Sequence, residues 1–180
     1  GRRRSLCSVS PTHRRPPVPA SLVSTRLSSL SLPGVPLSEQ LLVGYRWYEA
    51  KQVQFTTGFP FGHGLSYTSF GYSNINVDEK ERTVSFDLQN MGGVTGDEVA
   101  QLYIGFPEVA GEPPLQLKGF QKVNLEPNEK KTVTMSLTPR DLSIWDTLQR
   151  KFTVQRGTFN VYVGASSRDL RLNGTLRVSQ

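Results

Sequence analysis

An all-β sandwich of about seven short strands is predicted for residues 71–180, and three observations predict it. Short runs alternate apolar and polar residues at period two, as strands with one buried face do. Clusters of Gly, Pro, Asn and Asp separate those runs at close intervals. No window long enough for a helix keeps a helical period.

Tyr72-Ser73-Asn74-Ile75-Asn76-Val77 opens the set and ends in the charged turn Asp78-Glu79-Lys80-Glu81. In the next run Val84, Phe86 and Leu88 alternate with polar residues, which puts them on one face. Asn90-Met91-Gly92-Gly93 reads as a turn in which glycine supplies positive φ. Residues 98–104 form a further strand, followed by a loop through Pro107, Gly111, Pro113 and Pro114. Residues 115–125 read as a strand kinked at Gly119, and Glu126-Pro127-Asn128-Glu129 turns the chain. Val133, Met135 and Leu137 then alternate cleanly until Thr138-Pro139-Arg140-Asp141-Leu142 breaks the run, and Trp145 is placed in a connection. Residues 152–154, 158–163 and 170–178 complete seven or eight strands. Cys7 is the one cysteine, so no internal disulfide or cysteine-based zinc site can form. A fibronectin type III-like sandwich, an immunoglobulin-like arrangement, needs no inter-sheet bridge.

Two segments precede the sandwich. Residues 37–70 begin with Leu41-Leu42-Val43-Gly44-Tyr45-Arg46-Trp47-Tyr48, an apolar-aromatic run read as a strand. A connector punctuated by Gly58, Gly62 and Gly64 follows it. Residues 1–36 hold six of the 12 prolines, eight serines, six arginines and no acid or aromatic residue. Such a stretch buries too little apolar surface to offset the entropy of ordering it, so disorder is expected. A mis-spliced leading stretch of a fragment, an organellar transit peptide and a genuine linker all fit this composition. No secretory signal is visible in it. Net charge is +6, but removing those six arginines from the 21 basic residues leaves 15 bases against 15 acids. A folded part that is neutral argues against nucleic acid as a partner. No apolar run is long enough to span a membrane, so no membrane partner is expected.

Catalytic and metal chemistry finds little support. Glycoside hydrolysis needs two convergent carboxyl groups, whereas Asp97 and Glu98 are consecutive on a strand and point to opposite faces. Asp78, Glu79 and Glu81 crowd a turn, where solvated charge is the ordinary role. His13 and His63 are too few and too distant for a metal, and no cofactor motif is present. His63, between two glycines, reads as a loop histidine packed or hydrogen-bonded locally. Tyr45, Trp47, Tyr48 and Trp145 read as interface packing rather than sugar stacking. Asn173-Gly174-Thr175 is an N-glycosylation sequon, meaningful only in the secretory pathway.

Specific motifs remain. Phe59-Pro60-Phe61-Gly62-His63-Gly64-Leu65-Ser66-Tyr67-Thr68-Ser69-Phe70 resembles the P-F-G-x-G-L-S-Y-T-x-F segment of glycoside hydrolase family 3, which is chiefly β-glucosidases. Ser38 to Glu49, with Tyr45-Arg46-Trp47-Tyr48, is similar to a segment that precedes it in that family. Gly96-Asp97-Glu98-Val99-Ala100-Gln101-Leu102-Tyr103-Ile104 is similar to the family's G-x-E-V-x-Q-L-Y-V strand. Leu117 to Val123, Leu137 to Ser143 and Gly157 to Leu170 continue the match in order. The resemblance implies the end of an α/β sandwich domain with its connector over 37–70 and a fibronectin type III-like domain over 71–180. It implies retaining hydrolysis of terminal β-D-glucosyl residues by the parent enzyme, with nucleophile and acid/base on domains this chain lacks, and inactivity of the chain alone. Those catalytic domains are the expected partners, with β-glucoside reached only through them. Extracellular or vacuolar location follows from the family alone. On this reading Phe59, Phe61, Leu65, Tyr67 and Phe70 dock the sandwich on the catalytic domains, and Gly62 and Gly64 permit the turn between them. The alternative is a stand-alone sandwich binding polysaccharide or a protein partner.

Overall fold

The computed structural model describes residues 40–54 and 58–179, which fall within one compact unit, Leu37–Gln180. The expectations for residues 1–36 lie outside the described residues. Among the described residues, one α-helix, α1 (Tyr45–Lys51), precedes nine strands: β1 (Phe70–Asp78), β2 (Thr83–Asn90), β3 (Gly96–Gly105), β4 (Gln116–Leu125), β5 (Lys130–Ser136), β6 (Ser143–Asp146), β7 (Lys151–Val154), β8 (Gly157–Ser166) and β9 (Asp169–Val178). A three-stranded sheet, β1-β2-β5, faces a four-stranded sheet, β4-β3-β8-β9, and β6-β7 is a separate hairpin. All pairings are antiparallel. Seven strands thus make the sandwich, and the hairpin brings the total to nine.

The period-two pattern carries the core. Val84, Phe86 and Leu88 of β2 are buried, as are Val133 and Met135 opposite them on β5. Ala100, Leu102 and Ile104 of β3 meet them from the other sheet with Phe159, Val161 and Val163 of β8. The kink expected at Gly119 is real: pairing of β3 with β4 slips by one residue there, a β-bulge.

Three local expectations are corrected. Residues 45–48 are helical rather than extended. A seven-residue helix is too short to show a period, and tertiary contact rather than propensity holds it. Trp145 lies in β6, paired with Phe152, because the hairpin's four-residue strands are bounded by polar residues that mimic a connection. Gly92 and Gly93 do not take positive φ. Gly92 is required instead by close approach, since a Cβ there would collide with the Thr68 hydroxyl. Its turn is held by the fully buried Asn90, whose amide spends its whole capacity. Nδ2 donates to Val94 O (2.8 Å) and Leu125 O (3.1 Å), while Oδ1 accepts from Thr68 Oγ1 (2.6 Å) and Gly92 N (3.0 Å).

On the outer face of the three-stranded sheet, Asp87 ties all of its strands together. It accepts from Asn74 of β1 (2.8 Å) and from Thr132 of β5 (2.7 Å), and pairs with Lys130 of β5 (2.8 Å). The Lys130 ammonium and these hydrogen bonds hold its carboxyl down at about 2. The unfolded value is about 3.9, so this contribution is complete above about pH 4 and disappears as pH falls towards 2. Urea midpoints measured from pH 6 to pH 2 should therefore fall less steeply between pH 4 and 2 in Asp87→Asn than in the wild type, and equal slopes would refute the assignment.

Candidate docking face

The four-stranded sheet is covered on both sides at its centre. Alternation along β3 sends Ala100, Leu102 and Ile104 to the core and Val99, Gln101 and Tyr103 to the outer face. Tyr103 is nevertheless fully buried and Gln101 nearly so. What covers them is α1 and the connector, residues 58–69.

One amide organises this cover. Gln101 Nε2 donates to Gly62 O (2.9 Å) and to Ala165 O (2.7 Å), while its Oε1 accepts from the Tyr103 hydroxyl (2.6 Å). Burial, with Tyr45 and Glu49 nearby, pushes the Tyr103 phenol up, so it stays a neutral donor. Ser167 N donates to Phe61 O (2.9 Å), a second backbone anchor for the connector. Gly62 takes φ 80°, and a Cβ on it would overlap the Gln101 amide, so both conformation and space demand glycine. Gly64 has neither constraint: its φ is ordinary and nothing lies within 4 Å of where its Cβ would stand.

The helix is fixed by its i, i+4 pair, which presents two side chains to one surface. Tyr45 Oη accepts from Leu117 N (2.8 Å), and its ring stacks on Phe61 (4.4 Å) and meets Tyr103 edge-on (6.3 Å). One turn on, Glu49 pairs with Arg168 (3.0 Å) and accepts from Ser167 Oγ (3.2 Å). Arg168 also donates to Val53 O (2.9 Å) and Tyr48 O (3.3 Å), closing the end of the helix.

The connector side chains divide into two groups. Phe70 is buried in the sandwich core as the first residue of β1, so it is not available to another surface. Phe61 is half-committed to Tyr45. Phe59 is 77% exposed and Leu65 91%, and Tyr67 is fully exposed. His63 stacks on Phe59 at 4.9 Å, the local packing expected of a loop histidine. Between connector and sheet runs a groove of about 450 Å³ whose apolar lining includes Phe61, Leu65, Val99, Leu117 and Phe120. Val99 and Phe120 escape notice in the sequence because neither belongs to the inward-facing apolar set of its strand. The signal is in the alternation, which puts both on the outer face with Gln101, Phe120 directly opposite Gln101 and Val99 diagonal to it in the neighbouring strand.

Carboxylates are spent on structure. Asp97 pairs with Lys122 (2.8 Å) and accepts from Asn124 (2.8 Å), which holds it below the usual carboxylate range. Glu98 accepts from the Tyr72 hydroxyl (2.7 Å). No group of three or more His, Cys, Asp or Glu side chains that could hold a metal occurs among the described residues. No helix among them is long and apolar enough to cross a membrane. Asn173 is exposed on the edge strand β9.

The fibronectin type III-like domain family matches residues 98–167. Probable β-glucosidase L of Aspergillus fumigatus is 44% identical over 162 residues, which are 78% of this chain and 22% of that protein. The crystal structure of a β-glucosidase from Chaetomella raphigera superposes with a TM-score of 0.74 at 41% identity, over 79% of this chain and 23% of that one. β-Glucosidase 3B of Thermotoga neapolitana, in complex with α-D-glucose, gives 0.72 at 36% identity over 83% of this chain and 22% of that one. This chain corresponds to the C-terminal portion of family 3 β-glucosidases. It spans about a fifth of the length of those relatives. Matches to these β-glucosidases cover 77–84% of the chain, more than the strands of the fibronectin type III-like domain alone.

Gln101→Leu keeps the volume but strands the Tyr103 hydroxyl and frees Gly62 O, a loss of about 2–3 kcal/mol. Urea unfolding of the full chain should show that loss, and limited proteolysis should cut the connector between 58 and 67 sooner. Unchanged cleavage there would mean that Gln101 does not anchor the connector.

Proposed function

We propose that this chain is the C-terminal structural domain of a β-glucosidase-type glycoside hydrolase, docking on and stabilising catalytic domains that carry out retaining hydrolysis of terminal β-D-glucosyl residues. The observation that carries this reading is a connector whose backbone is tied to the sheet at Gly62 and Phe61 while Phe59, Leu65 and Tyr67 face outward. Large apolar side chains grouped on a fixed backbone are an interaction surface rather than scattered exposure. Burying Leu65 and Tyr67 against a partner is worth roughly 1.5–3 kcal/mol each. β-Glucoside would be met only by the partner domains, since every carboxylate near the groove is engaged in holding the sandwich.

The stand-alone reading, a module that binds polysaccharide, would draw on the exposed pair Trp145 and Phe152. Those rings are inclined at 59° and the Arg140 guanidinium lies over the Phe152 face at 3.1 Å. They form no flat platform for a sugar, so the docking reading is preferred. Location outside the cytoplasm or in the vacuole belongs to the same proposal, and Asn173 is then an accessible acceptor for glycosylation. Secretion of the chain from yeast should give a mobility shift sensitive to endoglycosidase and absent in Asn173→Gln; identical mobility would remove that site.

The docking test combines the full 180-residue chain with the catalytic domains of a relative truncated where Leu37 aligns. Co-elution is expected, with a rise in melting temperature and in hydrolysis of p-nitrophenyl β-D-glucoside. Leu65→Asp with Tyr67→Ala should weaken association about a hundredfold, equivalent to about 2.7 kcal/mol, while the chain's own urea midpoint stays unchanged. Phe61→Ala should in addition lower that midpoint, because Phe61 also packs within the chain. Failure of the wild-type chain to associate, or equal association by the double variant, would overturn the proposal.

A further inference from the structure

We propose a second site, for a phosphate-type oxyanion, at the end of the sandwich away from the connector. Three segments distant in sequence meet there: the β1–β2 turn, the β7–β8 junction and the end of β9. They line a cavity of about 560 Å³ with Lys80, Arg82, Arg156 and Arg177, and Glu79 is the one acid among the lining residues. Four cations and one carboxylate leave a net charge of +3 around one concave space.

These cations are not neutralised from within. The ion pairs among the described residues use Lys122, Lys130, Lys131, Arg168 and Arg171, and none uses the cations of this cavity. Glu79 accepts instead from the backbone N–H of Arg177 (3.3 Å), which ties the turn to β9 without engaging the guanidinium. Thr153 and Val154 complete the wall on the β7 side.

Backbone geometry holds the parts in place. Asp78 accepts from the N–H groups of Lys80 (2.8 Å) and Glu81 (3.0 Å), and Arg82 closes the turn at φ 54° with its carbonyl bonded by Leu137 N (2.8 Å). Gln155 N donates to Leu142 O (2.9 Å), fixing the junction that carries Arg156. Guanidinium groups converging from separate segments suit bidentate contact with a tetrahedral oxyanion. The concave space has room for a free phosphate or a phosphate monoester beside these side chains. The site is independent of docking: β1 runs from Phe70 at the connector to Asp78 at the cavity, about 25 Å at the rise of a strand.

The test titrates the full chain with inorganic phosphate, and separately with glycerol 3-phosphate, at an ionic strength held constant with sodium chloride. Calorimetry and thermal unfolding should both show saturable binding, and whichever ligand binds more tightly identifies the free or the esterified source. Arg156→Gln with Arg177→Gln should weaken phosphate at least tenfold. Lys122→Gln, a basic residue paired elsewhere, should leave binding unchanged. Stabilisation no greater than that given by chloride, or equal weakening by Lys122→Gln, would overturn the site. Tighter competing binding by a polyglutamate peptide would overturn it in favour of an acidic protein partner.

Discussion

The central strand β3 is buried on both faces from Ala100 to Gly105, and that constraint governs the rest of the structure. In a two-layer sandwich the outer face of a sheet ordinarily stays wet, and its polar residues are served by water. Here Gln101 and Tyr103 lie on the outer face and are cut off from solvent, so their amide and hydroxyl need partners from protein. Those partners are a connector carbonyl, a carbonyl from the end of β8, and each other. The connector is therefore a third layer of the fold, and the path it takes is dictated by two buried polar side chains.

Other features follow from where that layer is laid. Gly62 must be glycine because its carbonyl can reach Gln101 only if its backbone lies against the amide. Tyr45 must cap the edge of the cover because the N–H of Leu117, beside the bulge in β4, has its partner in the tyrosine oxygen. The ion pair of Glu49 with Arg168 then joins the helix to the β8–β9 turn. Its side chains are largely shielded, so it is a positional lock more than a source of stability. At the sandwich rim, Asn90 does for the β2–β3 turn what Gln101 does for the connector. Both are single buried amides whose several hydrogen bonds fix a segment that has no regular ladder of its own.

Legibility in the sequence tracks the physical origin of each feature. β2 and β5 were plain because their alternation reflects burial on one side only, and Val84, Phe86, Val133 and Met135 occupy the positions it assigns. β3 was found as a strand, yet its double burial was hidden: Gln101 looks like any outward polar residue until something is known to lie above it. α1 was misread because seven residues of aromatic and apolar character fit a strand as well as a helix, and contact with β4 decides between them. The connector set was legible as a motif, but motif membership does not distinguish roles. Phe70 belongs to the core of the sandwich, whereas Leu65 and Tyr67 stay exposed among the described residues. The basic cavity could not be read at all, since Arg82, Arg156 and Arg177 are joined only by the folding of three segments to one end.

What separates the connector from an ordinary exposed loop is the pairing of a fixed backbone with unburied side chains. A flexible segment presenting Phe59, Leu65 and Tyr67 would lose conformational entropy on docking, at about 0.5–1.5 kcal/mol for each immobilised side chain, with backbone ordering besides. Anchoring at Phe61 and Gly62 places the ordering cost in the folding of this chain, where the satisfaction of Gln101 and Tyr103 offsets it. The apolar gain of docking is then left largely intact. Stability of the sandwich and affinity for a partner are thereby separable by residue. Changes to Gln101 should act on both, because they loosen the platform, whereas changes to Leu65 and Tyr67 touch only what the platform presents.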